Sequence, residues 1–155
     1  MNAETFMDSV FLEVLEKDQR AGRLAELMDI WEASVRASHT FLPSGEVARL
    51  KPWVESAILG VSDLVIARVG APVAFMGIKE RKLEMLFVHP AFFRRGIGRK
   101  LVSYACGRYA VDSVDCNEQN PQALAFYRSM GFTVVGRTET DEMGNPYPIV
   151  KLRIA

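Results

Sequence analysis

The chain has 155 residues, of which 49% are hydrophobic and 25% are charged, and its formal net charge is +0. These values indicate one globular domain over residues 1–155 rather than a disordered or membrane-spanning chain, since no apolar run approaches the roughly 20 residues of a transmembrane helix. The balanced charge argues against nonspecific binding to nucleic acid through overall charge, although a local basic patch is still allowed, and we expect no nucleic-acid partner. No secretory leader is visible, so we expect a cytoplasmic protein without membrane contact, in which Cys106 and Cys116 stay reduced. Two cysteines and two scattered histidines do not suffice for a metal site, and we expect none.

The first part of the chain is predicted to form a short strand and two helices. The strand covers Val10 to Leu15. Two amphipathic helices follow, because apolar residues recur on one face at helical spacing. The first stripe comprises Leu24, Leu27, Met28, Trp31 and Val35, and the second comprises Val47, Leu50, Val54, Ala57 and Ile58. His39 lies in the connection between the two helices, and we assign Trp31 and Trp53 to the core.

Three strands are predicted next. Leu64 to Val69 and Val73 to Ile78 are apolar runs separated by Gly70-Ala71-Pro72, a pattern typical of a hairpin. A further strand covers Leu83 to Val88 and ends at His89-Pro90.

Helices and strands alternate in the remainder. A helix is predicted over Gly96 to Tyr109 and a strand over Val111 to Cys116. Asn120-Pro121 predicts a helix start, because asparagine caps free amides and proline suits the first helical position. Gly131 predicts the end of that helix. The last two strands are Phe132 to Arg137 and the alternating segment Val150, Leu152 and Ile154.

The predicted element order is β-α-α-β-β-β-α-β-α-β-β. The helix after Val88 links two parallel strands, whereas the other pairings are mostly antiparallel. We therefore predict an α/β fold with a mixed, mostly antiparallel central sheet and helices on both faces.

The segment from His89 to Leu101 has the features of a phosphate-binding loop. A strand ends, Gly96 and Gly98 follow, and a helix begins. The first turn of a helix has unpaired N–H groups and a partial positive charge, and glycine lets a diphosphate approach the backbone. Neither GxxxxGK[ST] nor GxGxxG fits, since Leu101 occupies the third glycine position of the latter. The surrounding cations are Arg94, Arg95, Arg99 and Lys100. The alternative is an ordinary basic helix start that contains glycine.

A second motif follows in Asn117 to Phe132, where a strand end precedes the pattern Ala-x-x-Phe-Tyr-x-x-x-Gly-Phe. With the glycine loop one helix and one strand earlier, it resembles the two signatures of the GNAT acetyltransferase superfamily. The resemblance covers the chain from about Leu64 to the end. Ile30-Trp31, Ser38 to Leu42 and Gly144 to Pro148 are similar to small bacterial YjaB-like members.

The resemblance implies an acyl-CoA N-acyltransferase fold that binds acetyl-CoA between the fourth and fifth strands. The diphosphate would lie on the amides of Arg94 to Arg99, and the pantetheine arm would lie along Leu86 to Val88. An amide near Leu86 or Phe87 would donate to the acetyl oxygen. The implied cofactor-binding residues are Leu86, Phe87, Val88, Phe93, Arg94, Arg95, Gly96, Ile97, Gly98, Arg99, Lys100, Asn117, Asn120 and Tyr127. The chain departs from the first signature, because Phe93 occupies its Gln/Arg position and Arg94 stands where glycine often follows.

Acetyl transfer from a thioester to an amine requires a base, donors to the oxyanion and an acid for the leaving thiolate. Tyr127 matches the helix tyrosine of the family and is the candidate acid, since its ordinary pKa of about 10 keeps the phenol protonated at pH 7. The alternative for Tyr127 is a packed core aromatic, which is the role we expect for Phe126.

Two residues are candidates for the catalytic base. Glu84 lies in the strand from Leu83 to Val88, with the parity of Leu86, and partial burial would raise the pKa of its carboxyl. His39 lies in the region that forms a wall of the acceptor site in the family, and its ordinary pKa of about 6.5 suits a base. A solvated strand residue and a hydrogen-bonded loop histidine are the respective alternatives.

The expected acceptor is the primary amine of a small molecule, an amino acid or a peptide N-terminus, and the expected assembly is a monomer or homodimer. A non-catalytic acyl-CoA-binding or sensing module on the same fold is the alternative function, motivated by Phe93. A scaffold that acts only through protein contacts is the third possibility.

Overall fold

The computed structural model describes residues 2–155, which form six α-helices and seven β-strands. The helices are α1 (Ala3–Asp8), α2 (Lys17–Arg20), α3 (Leu24–Ser38), α4 (Glu46–Gly60), α5 (Ile97–Tyr109) and α6 (Pro121–Ser129). The strands are β1 (Phe11–Val14), β2 (Asp63–Val69), β3 (Ala71–Lys79), β4 (Lys82–Val88), β5 (Ser113–Asn117), β6 (Thr133–Thr138) and β7 (Ile149–Arg153). Short 3-10 turns cover Ala21–Arg23 and Pro90–Phe92.

All seven strands belong to one sheet with the spatial order β1-β2-β3-β4-β5-β7-β6. The pair β4 and β5 is parallel, because α5 carries the chain back across the sheet, and every other neighbouring pair is antiparallel. The predicted fold class, an α/β fold with a mixed and mostly antiparallel sheet, is therefore confirmed.

Helices cover both faces of the sheet, as predicted. On one face α1, α5 and α6 pack on side chains that include Met76 and Ile78, and on the other face α3 and α4 pack on side chains that include Phe75. Successive side chains of β3 alternate between the two cores, which is the two-residue period of a strand. We call these the α5/α6 face and the α3/α4 face.

Two short helices near the N-terminus, α1 and α2, add to the predicted element order. The side chain of Asn2 caps α1 by accepting a hydrogen bond from the Thr5 amide at 2.8 Å. A capping box between Glu16 and Gln19 starts the single turn of α2. Both helices are too short for a 3.6-residue period to emerge from the hydrophobic pattern, so only capping chemistry marks them.

Arg20, at the end of α2, is a buried cation that ties α2 to the end of α4. It is 1% exposed, and its guanidinium donates to the carbonyl oxygens of Ile58 at 3.1 Å and Leu15 at 3.3 Å, and also to that of Val61. The last carbonyls of a helix lack partners within the helix, so one side chain satisfies several of them. This contact fixes the position of α4, which forms a wall of the site described next.

Candidate active site

A gap opens in the sheet between β4 and β5. The two strands pair only at Lys82 with Ser113 and at Leu83 with Val114. Beyond this point β4 continues in register with β3 as far as Val88, and β5 continues in register with β7 as far as Asn117. The two strands therefore separate toward their carboxyl ends, and an edge of β4 is left unpaired beside the gap.

Glu84 occupies a β-bulge in β4. Leu83 pairs with Ile78 and Met85 pairs with Gly77, so Glu84 is an extra residue between them. The alternation that would place Glu84 on the same face as Leu86 does not hold across a bulge.

The carboxyl of Glu84 lies among charged groups near the closed end of the gap. Its side chain is exposed, yet the surrounding protein atoms raise its pKa from the ordinary value, opposed by Lys82 and assisted by Glu142 and Asp115. Lys82 is itself held by Asp115, with 2.8 Å between Nζ and Oδ2. Glu84 thus lies beside the gap. It does not line the pocket that opens on the α3/α4 face, which is described below.

The start of α5 presents free backbone donors at the open end of the gap. Gly96 has φ = 90°, a left-handed conformation that favours glycine, and precedes the first helical residue. The amides from Arg94 to Arg99 donate to no acceptor in residues 2–155, and the first internal bond of the helix runs from the Lys100 amide to the Gly96 oxygen at 3.0 Å. A Cβ on Gly98 would lie 3.3 Å from the Phe126 ring, so the second glycine also lets α5 approach α6.

The four cations predicted to surround the diphosphate differ in their contacts. The Arg95 guanidinium stacks 3.8 Å from the centre of the Phe6 ring in α1. Lys100 Nζ donates to the Val10 oxygen at 2.7 Å, and Arg99 donates to the Ser129 hydroxyl at 3.3 Å.

Arg94 and Phe93 occupy the two positions at which this chain departs from the GNAT signature. Arg94 contacts no acidic or hydrogen-bonding partner in the described part of the chain, and it has φ = 61°. A positive φ explains why glycine suits this position. Phe93 is half-buried beside it.

Tyr127 lies on the α5/α6 face, in α6. It is 7% exposed and packs edge-to-face on Phe126 and Phe132. Burial raises the pKa of its phenol, and the nearby Cys116 adds to the rise. The phenol is therefore protonated at neutral pH, and its oxygen has no hydrogen-bond partner in the described residues. Burial also raises the pKa of the Cys116 thiol to about 11, so this cysteine is a thiol rather than a thiolate at neutral pH.

Two asparagines border the gap at the end of β5. Asn120 caps α6 as predicted, and its Oδ1 accepts from the Ala123 amide at 3.1 Å. Asn117 Oδ1 accepts from the Gln119 amide at 2.9 Å. Both side-chain oxygens are thus occupied, and the two NH₂ groups donate to no described residue.

A pocket of about 280 Å³ opens on the α3/α4 face of the same gap. Its walls come from α3, α4, β4, the end of β5 and the segment that joins β6 to β7. The lining residues are Trp31, Val35, His39, Leu42, Leu50, Trp53, Val54, Ala57, Met85, Phe87, Asn117, Asp141, Met143, Tyr147 and Ile149. The pocket and Tyr127 therefore lie on opposite faces of the sheet, and the separation of β4 from β5 connects them.

His39 follows α3 and lines this pocket. The Ser38 hydroxyl donates to the Ser34 oxygen at 2.7 Å and lies 2.9 Å from His39 Nδ1. Since the single hydroxyl proton is used in the first bond, we assign the ring proton to Nδ1, which leaves Nε2 free to accept a proton. Burial lowers the pKa of His39 from its ordinary value, so the ring is neutral at pH 7.

A polar network fastens the β6–β7 segment to the start of α4. The Tyr147 hydroxyl donates to Glu46, and Arg49 donates both to Glu46 and, at 2.8 Å, to Asn145 Oδ1. Asn145 in turn donates from Nδ2 to Asp141 at 2.9 Å. The hydrogen bonds from Arg49 and Tyr147 lower the pKa of Glu46 to about 2. The network positions Asp141 and Met143 along the pocket.

The assignment of Trp53 to the core is wrong, because its side chain is 55% exposed and lines the mouth of the pocket. Trp31 is buried as predicted. The sequence analysis also missed Asp141 and Met143. Asp141, Gly144 and Asn145 around Met143 indicate a turn, but no local pattern indicates which element that turn contacts.

Two other kinds of feature are absent from residues 2–155. No group of three or more His, Cys, Asp or Glu side chains there could hold a metal ion. No helix within the same residues has the length and apolar character needed to cross a bilayer.

Comparison with known proteins places this geometry in context. A family model described as an acetyltransferase (GNAT) domain matches residues 60–134. The chain is 39% identical over 129 residues to the peptidyl-lysine N-acetyltransferase YjaB of Salmonella typhimurium. The alignment covers 82% of this chain and 88% of that relative. The solution structure of apo-form YjaB from Escherichia coli has a TM-score of 0.82 at 32% identity, over 94% of this chain and 97% of that one. The structure of yncA from Salmonella typhimurium with its cofactor acetyl-CoA has a TM-score of 0.60 at 18% identity, over 94% and 93% of the two chains, and shows likeness of fold alone.

Proposed function

The chain belongs to the GNAT family of acetyltransferases and is an acyltransferase, and on that premise we propose that it moves the acetyl group of acetyl-CoA onto a primary amine. The amine attacks the thioester directly in a ternary complex, within one catalytic domain. The observation that carries this proposal is the end of β4–β5 pairing after Leu83 and Val114, next to the free amides at the start of α5. A thioester needs such an opening, and a diphosphate needs such donors.

Acetyl-CoA would enter from the α5/α6 face. The unpaired backbone edge of Leu86 to Val88 supports an extended pantetheine arm, because that edge offers strand-like hydrogen bonds. An amide near Leu86 or Phe87 would donate to the acetyl oxygen as negative charge develops on it. The side-chain NH₂ groups of Asn117 and Asn120 are free to bind the pantetheine arm. The backbone amides of Arg94 to Arg99 would hold the diphosphate.

Tyr127 and His39 would act from opposite sides of the gap. His39 Nε2 takes a proton from the attacking amine, whose nitrogen bonds to the carbonyl carbon. The carbon–sulfur bond then breaks, and the phenol of Tyr127 gives a hydrogen bond or proton to the leaving sulfur. His39 is preferred to Glu84 as the base because His39 lines the pocket on the α3/α4 face.

The acceptor is proposed to be the side-chain amine of a lysine in a peptide or a small molecule of similar shape. This follows from the relative YjaB, which is named as a peptidyl-lysine N-acetyltransferase. The alignment with YjaB covers 82% of this chain, so a lysine peptide is the first acceptor to assay.

The experiment is calorimetric titration with acetyl-CoA, together with mass spectrometry of a lysine peptide incubated with both. Gly96→Val should weaken acetyl-CoA binding by about tenfold or more, equivalent to about 1.4 kcal/mol, because the side chain blocks the backbone donors. Gly107→Val is the matched control, since Gly107 lies in the same helix with open space around it. Thermal melts of both variants verify folding.

Equal affinity of Gly96→Val and the parent protein for acetyl-CoA would show that the diphosphate lies elsewhere. Tight binding without acetylated product across a panel of amines would instead favour the non-catalytic acyl-CoA-binding module.

A further inference from the structure

We infer that Phe6 of α1 is a positioning residue for acetyl-CoA: its ring holds the guanidinium of Arg95 beside the start of α5, where the N–H groups of Arg95 bind the diphosphate. This inference rests on the proposed function, which lays the diphosphate on the amides of Arg94 to Arg99. No described residue of α1 lines the pocket on the α3/α4 face. The contacts of this helix with the glycine turn are therefore what assign it a role.

The contact between Arg95 and Phe6 fixes a cation without using its hydrogen-bond donors. The central carbon of the guanidinium, Cζ, lies 3.8 Å from the centre of the Phe6 ring, over its face, and 5.6 Å from the centre of the Phe92 ring. A ring face attracts a cation, and a planar guanidinium can stack on it. The five N–H donors lie in the plane of the guanidinium, so a ring on its face does not cover them. Arg95 is exposed and donates to no acceptor within residues 2–155, so these donors remain available.

The ring of Phe6 is itself held in one position. It is 5% exposed and belongs to the core of the α5/α6 face. It also stacks on Phe92, with 6.3 Å between the ring centres and 22° between the ring planes. Side chains in a close-packed core keep a single rotamer for most of the time. A ring fixed in this way gives the guanidinium of Arg95 one place to occupy.

Two neighbours of Phe6 contact the same loop. Lys100 Nζ donates to the Val10 oxygen at 2.7 Å. A Cβ on Gly96 would lie 3.0 Å from Met7 Cε, so α1 packs directly against the turn that begins α5. Gly96 nevertheless remains exposed. The segment from Phe6 to Val10 thus holds two cations of the loop and leaves the turn accessible to a ligand.

The expected consequence is a smaller loss of side-chain freedom when the cofactor binds. A long arginine side chain loses rotamer freedom when it binds a phosphate, and Arg94 and Arg99, which have the same charge, disfavour a position close to them. Contact with Phe6 imposes the order and the position before the cofactor arrives. The bidentate geometry that a guanidinium offers to phosphate oxygens is then available without rearrangement.

The experiment is calorimetric titration of the full chain with acetyl-CoA in four forms: the parent protein, Phe6→Leu, Arg95→Gln and the double variant. Phe6→Leu keeps an apolar side chain in the core and removes the aromatic face. We expect it to raise the Kd by about three- to tenfold, the scale of immobilising one long side chain on binding. Arg95→Gln should raise the Kd by about tenfold or more, because hydrogen bonds between two charged groups are lost. Phe11→Leu is the matched control and should leave the Kd unchanged, since the Phe11 ring is 61% exposed and stacks on no described cation.

The double variant separates positioning from a general loss of packing. If Phe6 acts through Arg95, adding Phe6→Leu to Arg95→Gln should change the Kd by less than about twofold. A merely structural role of Phe6 would weaken binding by the same factor in both backgrounds. Steady-state kinetics with a lysine peptide give a second measure, in which Phe6→Leu should raise the KM for acetyl-CoA and leave kcat unchanged. Thermal melts verify folding, and Phe6→Met, whose unbranched side chain fills irregular spaces, replaces Phe6→Leu if the leucine variant melts early.

The possible outcomes separate this inference from the proposed function. Unchanged or tighter acetyl-CoA binding in Phe6→Leu, or an equal loss in both backgrounds, overturns the inference and leaves the proposed function standing. An unchanged Kd in Arg95→Gln does the same. Absence of acetyl-CoA binding by the parent protein removes both. Binding without any acetylated product removes acetyl transfer alone, and the calorimetric comparison still decides the role of Phe6.

Discussion

The two sides of the β4–β5 gap are built in different ways. The α5/α6 side consists of two continuous stretches, 89–101 and 117–132, and presents backbone amides, helix starts and one phenol. The α3/α4 side is assembled from side chains between Trp31 and Ile149 that come from α3, α4, β4 and the β6–β7 segment. A shared cofactor can be held by backbone amides, which are present whatever the side chains are. An individual acceptor is distinguished by the side chains that contact it. Variants on the two sides should therefore separate cofactor binding from acceptor selection.

The largest effect is expected from Tyr127→Phe, which would show that the α5/α6 side does more than bind. Turnover should fall by about 10²-fold, because the leaving sulfur loses its donor. Acetyl-CoA affinity should change little, since the phenol has no described partner and the ring keeps its contacts with Phe126 and Phe132. Steady-state kinetics and calorimetry measure the two quantities. Tyr109→Phe, on α5, is the control, and equal turnover in Tyr127→Phe and the parent would remove the catalytic role.

The next effect concerns the base and compares His39→Gln with Glu84→Gln. Burial lowers the pKa of His39, so its ring is neutral above about pH 6.5 and activity should decline as pH falls through the lowered pKa. His39→Gln should reduce turnover by about tenfold and abolish that decline. The loss is smaller than that expected for Tyr127→Phe, because water can replace a half-buried base. The pH profile of kcat is the measurement. If Glu84→Gln, and not His39→Gln, removes the acid limb, the base is Glu84, near the closed end of the gap.

A smaller effect should follow from loosening the network behind the pocket. Glu46→Gln weakens the contacts to Arg49 and Tyr147, so Asp141 and Met143 should lose their fixed positions. The KM for the acceptor should rise by about two- to fivefold, as is typical when a partly exposed ion pair is lost. The Kd for acetyl-CoA should not change, and Glu55→Gln on the same helix should alter neither. An equal rise in the Kd for acetyl-CoA would mean that the two sides are not independent.

The smallest effect is expected on stability at Arg94. Its φ of 61° costs a non-glycine residue free energy, so Arg94→Gly should raise the free energy of unfolding by about 0.5–1 kcal/mol, or Tm by about 1–4 °C. Arg128→Gly, within α6, should lower stability by about 1 kcal/mol, since glycine is unfavourable in a helix. Urea unfolding measures both. A lower acetyl-CoA affinity in Arg94→Gly would indicate that this free cation also contacts the diphosphate, and a loss of stability would contradict the strain argument.

Much of the fold and of the α5/α6 side could be predicted, because the relevant signals are local. Asn120 before Pro121 predicted the cap of α6, and Gly96 predicted the start of α5, since each depends on the conformation of one or two residues. The bulge at Glu84 and the end of β4–β5 pairing could not be predicted. The bulge depends on the register between β4 and β3, and the end of β4–β5 pairing depends on β5, which is distant in sequence.

The sequence by itself determined the order of most elements, the mixed sheet and the place where a helix start with two glycines follows a strand. Helix periods, caps and turn residues act over a few positions and are visible in any window of that length. The tertiary structure alone decided that Trp53 lines a pocket, that His39 faces it and that Arg49 reaches Asn145 across 96 positions of the chain. Those contacts exist because the sheet brings α4 and the β6–β7 segment to the same opening, and such long-range packing leaves no local pattern in the sequence.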